Sequence, residues 1–226
     1  MDLQRRQPEP ELMDDDAEAA AYAEADFAEV NEAFVDRLIK LAEDSRPPLR
    51  ALDLGTGPGD IPIRLSLRTN GWVVTAVDAA PAMLAIAQAD LARRAPAAAV
   101  RFVRADAKDL PFPNGSFNVI FSNSILHHIT ETGAFWGELK RVAAEGALVF
   151  LRDLARPATS TKAADLVAEH AGGESALLRE EFHRSLLSAY TPDEVRSQLS
   201  GAGLEGLIVE LVTDRHMDVH GRVIKT

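Results

Sequence analysis

A glycine-rich stretch, LDLGTGPGD at residues 52–60, is the feature that most constrains what this chain can fold into. A short apolar run, RALDL (50–54), leads into the glycines and predicts a buried strand, and apolar residues after position 60 predict a helix. A glycine turn between a strand and a helix lets the backbone approach a ligand at the helix N-terminus. The stretch therefore predicts a ligand-binding turn that opens an alternating α/β domain.

The residues around the glycines distinguish between kinds of ligand. A phosphate loop of the Walker type needs Lys-Ser/Thr after its last glycine, where this chain has Asp60. A dinucleotide fingerprint needs its third glycine at that same position, but here the glycine comes one residue early, at Gly59. Asp53, at the end of the strand, is a poor neighbour for a pyrophosphate and suits a ligand that carries positive charge, such as an α-ammonium or a sulfonium group. Gly55 and Gly57 are also compatible with an ordinary strand-to-helix turn.

The alternation of strands and helices continues along the chain. Further strands are predicted at 72–78, 100–106, 117–123, 147–153, 207–212 and 217–224, with helices at 17–43, 81–94, 134–142 and through 159–200. Strands that alternate with helices form a parallel sheet covered on both faces, and two strands joined by a short turn pair antiparallel. The predicted fold is a doubly wound, seven-stranded, mainly parallel sheet. It has an antiparallel last strand, an N-terminal helix and a helical insert before the last two strands.

Composition restricts the partners and the location of the chain. The formal net charge of −11 repels nucleic acid and anionic membrane surfaces, so neither is expected as a partner. The absence of cysteine excludes disulfides, thiolate catalysis and cysteine-zinc sites. The chain shows neither a signal peptide nor a run of ~20 apolar residues, which predicts a cytoplasmic protein.

Acidic residues follow the glycine turn at the ends of successive strands. The pattern Asp-x-Gly-x-Gly-x-Gly begins at Asp53, Asp78 ends the second strand, and Asp106 ends the third, with Ala107 behind it. This order resembles the class I S-adenosylmethionine-dependent methyltransferases, in particular the branch that acts on small molecules. The resemblance covers roughly residues 48–153, and the last strand pair is compatible with it.

The resemblance implies S-adenosylmethionine as the cofactor and assigns roles to residues around it. Asp78 would accept hydrogen bonds from the ribose hydroxyls, and Asp106 or the adjacent backbone would recognise the adenine amino group. The residues predicted to bind the cofactor are Asp53, Gly55, Thr56, Gly57, Asp78, Ala79, Met83, Asp106, Ala107 and Asn123. Three simpler explanations stay open: Asp78 caps the following helix, Asp106 is a solvated acid, and Met83 belongs to the core.

The acceptor should bind beyond the end of the fourth strand. There, Asn123 is predicted to contact the reacting groups, and His127 is predicted to take a proton from the acceptor. In the alternative, His127 and its neighbour are structural. Two residues of the insert, His183 and Arg184, are further candidates for binding an acceptor. No metal site is predicted.

These features predict one methyltransferase domain spanning residues 1–226. Its parts are a tail and lid helix (1–46, frayed to about residue 16), a cofactor-binding core (47–153), a helical insert (154–205) and a terminal strand pair (206–226). The predicted activity is methyl transfer to a small-molecule acceptor by in-line displacement. Two alternatives stay open, namely a cofactor-binding regulatory or assembly protein without activity and a nicotinamide oxidoreductase. The oligomeric state is left open, a dimer being one option.

Overall fold

The computed structural model describes residues 5–10 and 27–225, and seven α-helices and seven strands lie within these ranges. In chain order they are α1 (Ala28–Leu41), β1 (Leu49–Leu54), α2 (Asp60–Arg68), β2 (Trp72–Asp78), α3 (Pro81–Arg94), β3 (Val100–Arg104), β4 (Phe117–Asn123), α4 (Thr132–Val142), β5 (Ala143–Leu154), α5 (Ser160–Ala171), α6 (Ala176–Ser188), α7 (Pro192–Gly201), β6 (Leu207–Leu211) and β7 (His216–Arg222). A single 3₁₀ turn, Leu126–His128, follows β4.

All seven strands form one sheet in the order β3-β2-β1-β4-β5-β7-β6. The first five strands pair parallel, whereas β7 lies between β5 and β6 and runs antiparallel to both. The predicted fold class is therefore confirmed, including the antiparallel pairing of the last two strands. Because the strand order reverses between β1 and β4, their carboxyl ends flank a crevice in which ligands of such sheets bind.

Helices cover both faces of the sheet, which explains why the sequences of its central strands are nearly continuous apolar runs. On one face, Trp136 and Leu139 of α4 belong to a buried core together with residues of α7, β4 and β5. On the other face, the Phe34 ring of α1 stacks on Phe150 of β5 with their centroids 4.6 Å apart. The N-terminal helix is thus part of the second core.

Two details of the predicted elements need correction. β5 begins at Ala143, before the predicted start at residue 147, and the register of its pairing with β4 shifts between Phe117 and Val119. The helical insert consists of three helices with breaks after Ala171 and after Ser188. Its last helix begins with a capping box formed by Thr191 and Glu194.

The expectation of a frayed N-terminal tail is wrong for residues 5–10. Arg6 donates hydrogen bonds to the carbonyl oxygens of Ser188 and His127 at 2.6 and 2.8 Å, and its guanidinium lies 4.1 Å from the centre of the Tyr190 ring. The backbone N–H of Gln7 donates to the Leu187 carbonyl at 3.0 Å. We call residues 5–10 the N-terminal strap. The first part of the predicted lid helix, residues 17–26, lies outside the described residues.

The described helices include none that combines the length and the apolar composition required to cross a bilayer. The cytoplasmic location stays a prediction.

Candidate active site

A cavity of about 1560 Å³ opens at the carboxyl ends of β1, β2, β4 and β5. Its walls include all the residues predicted to bind the cofactor, together with the predicted proton acceptor His127: Asp53, Gly55, Thr56, Gly57, Asp78, Ala79, Met83, Asp106, Ala107, Asn123 and His127. The cavity exceeds the ~300–1,000 Å³ of a typical small-molecule site, so it has room for a cofactor and a second molecule side by side.

The glycine turn forms the floor of the cavity between β1 and α2. Gly57 has a φ of +54°, a backbone conformation that favours glycine, and its N–H donates to Asp78 Oδ2 at 2.8 Å. Gly59 has a φ of +81°, and a Cβ there would lie 2.8 Å from the Cβ of Ala87 in α3. One glycine thus lets the turn reach the neighbouring strand, and the other lets α2 and α3 approach each other closely.

Asp78 is held by the backbone on both carboxylate oxygens. Oδ2 accepts the Gly57 N–H, and Oδ1 accepts the Ala80 N–H at 2.9 Å. Burial raises the pKa of Asp78, and these backbone hydrogen bonds oppose that rise. The residue at the N-cap of α3 is Ala80, with no side-chain cap, so Asp78 does not occupy the capping position. Each oxygen keeps a lone pair for a ligand in the cavity.

Asp53 is a buried carboxylate without a full set of partners. Among the described residues, its Oδ2 atom and the Thr56 hydroxyl oxygen have no hydrogen bond of normal geometry. Burial raises the pKa of Asp53 to about 7, although the nearby Thr56 hydroxyl lowers it and the charge of Asp78 raises it further. An acid in this state gains from a positively charged ligand, which would compensate its charge.

Asp60, the acid directly behind the glycines, has partners of its own. It accepts hydrogen bonds from Arg64 at 2.6 Å, from Arg94 at 2.5 Å and from the Asn31 side chain at 2.9 Å. Burial alone would raise its pKa, but these donors lower it. The Asp60 carboxylate therefore joins α1, α2 and α3 beside the cavity and stays ionised without a ligand.

Asp106 lies two residues beyond the end of β3, since that strand ends at Arg104 and not at the predicted position. Its carboxylate accepts the Lys108 backbone N–H at 2.8 Å and lies 3.2 Å from the Lys108 ammonium. The side chain is half exposed at the cavity rim. Asp106 thus has a local partner as well as access to a ligand.

The segment after β4 bends sharply into the cavity. Asn123 is the last residue of β4, and Ser124 is the only non-glycine residue with a positive φ, +66°, in the described ranges. Such a conformation is uncommon for residues other than glycine and is typical of functional segments. The bend positions Asn123, Ser124 and Ile125 along one wall.

His127 is a buried residue of the cavity wall, and each of its ring nitrogens faces a carboxylate. Its Nδ1 lies 2.6 Å from Asp153 Oδ1, and its Nε2 lies 3.4 Å from Glu9 Oε1 of the strap. Burial lowers the pKa of the imidazole, but the carboxylates of Asp153 and Glu9 outweigh burial and raise it. With both nitrogens facing carboxylates, the role of His127 as a proton acceptor stays a prediction.

Several assignments outside the core were wrong or were missed. Neither His183 nor Arg184 lines the cavity; Arg184 pairs with Glu181 on its own helix. Arg152, another residue that the sequence did not single out, pairs with Asp218 of β7 at 2.7 and 2.8 Å. The cavity is also lined by residues that the sequence did not single out: Leu177, Leu178, Ser185, Thr213, Arg215 and His216.

The sheet order and the acid-lined glycine turn define a Rossmann-like cofactor-binding domain. The sequence profile of a family described as "Methyltransferase domain" matches residues 52–151. Malonyl-[acyl-carrier protein] O-methyltransferase of Geobacter sulfurreducens is 30% identical over 198 residues, which cover 86% of this chain and 69% of that protein. A solved S-adenosylmethionine-dependent methyltransferase from Aquifex aeolicus shares the fold with a TM-score of 0.68 at 20% identity, over 93% of this chain and 99% of the other.

The chain belongs to the class I S-adenosylmethionine-dependent methyltransferases, as the predicted resemblance indicated. It is also 38% identical over 123 residues to demethylmenaquinone methyltransferase of Thermus thermophilus, and the match covers 54% of each protein. Matches to other curated relatives likewise cover about half of their length. S-adenosylmethionine is the family's cofactor, and the unpaired acid at the cavity floor fits its cationic groups.

Proposed function

We propose that this protein transfers the methyl group of S-adenosylmethionine to a small-molecule acceptor by in-line displacement. The observation that carries this proposal is the pair of acids, buried Asp53 and partly buried Asp78, at the ends of adjacent strands beside the glycine turn. When bound, the cofactor supplies the electrophilic methyl group, so the chain's own task is to bind and orient both molecules.

Different residues around the cavity would bind different parts of the cofactor. Asp78 would accept the ribose hydroxyls with the lone pairs that Gly57 and Ala80 leave free. Asp53, with Gly55 and Thr56 beside it, would face the charged amino-acid portion. The adenine would lie between the Ala79–Met83 segment and the Asp106–Ala107 segment at the rim. This division accounts for ten of the predicted residues once Asn123 is placed at the methyl end.

The acceptor would bind in the part of the cavity beyond Asn123. This part is formed by two helices of the insert, the turn before β7 and the start of the N-terminal helix. Phe182, Arg215 and Phe27 are among the residues that line it. Holding acceptor and methyl group in line contributes up to ~7–11 kcal/mol to catalysis without a general base. Relatives are named for acceptors as different as demethylmenaquinone and malonyl-acyl-carrier protein. The cavity walls outside the shared core should therefore determine which acceptor binds.

Isothermal titration of the full-length protein with S-adenosylmethionine tests the cofactor assignment. We expect Asp78→Ala to weaken binding at least tenfold because the ribose hydroxyls lose their acceptor, whereas His183→Asn, outside the cavity, should bind as the wild type does. Wild-type protein that binds no cofactor would refute the proposal.

The second stage measures release of S-adenosylhomocysteine with a panel of small acceptors that includes quinols and carboxylic acids. Turnover with any of them, reduced by a substitution of Asn123, supports methyl transfer. Tight binding without turnover on a broad panel would instead indicate a regulatory protein.

A further inference from the structure

Three metal-ligating side chains meet at the wall of the cavity, where the strap crosses the 3₁₀ turn. They are Glu9, His127 and His128, and one ligand atom of each lies within 4.8 Å of the other two. Glu9 Oε1 is 3.4 Å from His127 Nε2 and also 3.4 Å from His128 Nδ1. The Pro10 carbonyl oxygen lies 3.3 Å from the same Nδ1.

These separations match the edges of a metal coordination shell. Ligands at ~2.0–2.1 Å from a tetrahedral Zn²⁺ ion are about 3.3–3.4 Å apart. A direct charge-assisted hydrogen bond between imidazole and carboxylate is shorter, about 2.7–2.9 Å. Both distances from the Glu9 carboxylate to an imidazole nitrogen therefore fit two ligands of one ion better than a direct hydrogen bond.

The surroundings of the cluster have the features of a metal site. Asp153 lies 2.6 Å from Nδ1 of His127, and a carboxylate in this position orients a ligating histidine by accepting its other N–H. Ser185 donates to Glu9 at 3.2 Å and helps to fix that carboxylate, which is only 6% exposed. Both oxygens of Asp153 are in turn held by backbone N–H groups, those of Leu126 and Leu154.

A second group of suitable side chains, Glu169, His170 and Asp214, differs in two respects. All three residues are exposed. The guanidinium of Arg215 lies 2.9 Å from His170 Nε2 and from Asp214 Oδ1, so a cation already occupies the space that an ion would need. Because of these differences, the second group serves as a control for metal binding at the first.

We infer that Glu9, His127 and His128 form a binding site for a divalent transition metal of the zinc class, closed over the 3₁₀ turn by the strap. Imidazole with one carboxylate favours such ions over Ca²⁺ or Mg²⁺. Because both histidines line the cavity, the ion would lie at its wall, with its remaining coordination positions available to an oxygen of the acceptor. Metal binding requires neither cofactor nor turnover, so it can be tested independently of methyl transfer.

Calorimetric titration of chelator-treated, full-length protein with Zn²⁺ at neutral pH tests the site, with Co²⁺ absorption as a spectroscopic probe of its geometry. We expect one equivalent to bind, with visible bands of a low-coordinate Co²⁺ site. Glu9→Gln and His128→Asn should each weaken binding at least tenfold, and Asp153→Asn should weaken it ~10–100-fold through His127. His170→Ala should change nothing.

Unfolding midpoints measured without metal show which variants fold. If the histidine variants do not fold, the test is decided by Glu9→Gln, which keeps the size of the side chain. The inference is overturned if the wild type shows no saturable binding. It is equally overturned if binding survives Glu9→Gln but is lost in His170→Ala.

Discussion

Asp53 links the stability of the empty protein to its affinity for a cation, because its charge is buried at the cavity floor. Its pKa is raised from 3.8 to about 7, so the ligand-free protein binds a proton that the unfolded chain releases. The stabilising contribution of the protonated form is complete below about pH 4 and is lost as the pH rises to about 7.

We predict that Asp53→Asn has opposite effects on stability and on binding. Relative to the wild type, the variant should gain stability progressively between pH 5 and pH 7 and keep that gain at pH 8. At pH 8 it should also bind S-adenosylmethionine at least tenfold more weakly, because it lacks the charge that attracts the sulfonium and ammonium groups. Urea unfolding and calorimetry over this pH range measure both effects. A stability difference that is independent of pH would contradict the assignment.

At the scale of elements, the strap holds α6 and the 3₁₀ turn together through one side chain. Arg6 reaches three backbone carbonyl oxygens, those of Ser188, His127 and Ile129, and stacks on Tyr190. A hydrogen bond from a charged donor contributes about 1.5–3 kcal/mol when well buried, and less for a half-exposed arginine such as this one.

We predict that Arg6→Ala lowers the free energy of unfolding by about 1–2 kcal/mol, whereas Arg5→Ala, at the exposed neighbouring position, changes it by less than about 0.5 kcal/mol. Urea unfolding followed by circular dichroism measures both. Equal effects of the two substitutions would mean that the strap is not anchored by Arg6.

At the scale of the whole molecule, the sequence predicted what local patterns determine. The glycine turn and the alternation of strands and helices led to the sheet. Since parallel strands end at the same edge, acids such as Asp53 and Asp78 were expected to meet in one cavity, and they do.

Contacts between distant segments were not predictable in this way. Glu9 and His127 are more than a hundred residues apart, and the polar segment around Glu9 shows no periodicity that would indicate burial. The partner of Arg152 is likewise 66 residues away, on β7. Arg184 was misassigned because a helix of mixed polarity does not reveal which face meets the cavity.

The central claim is that the acids at the ends of β1 and β2 surround a cationic nucleoside, and a crystal structure of the complex with S-adenosylhomocysteine tests it most directly. We predict both ribose hydroxyls within ~2.7–3.2 Å of the Asp78 carboxylate, with the sulfur directed toward Asn123. A nucleoside bound elsewhere, or a ribose that does not contact Asp78, would contradict it.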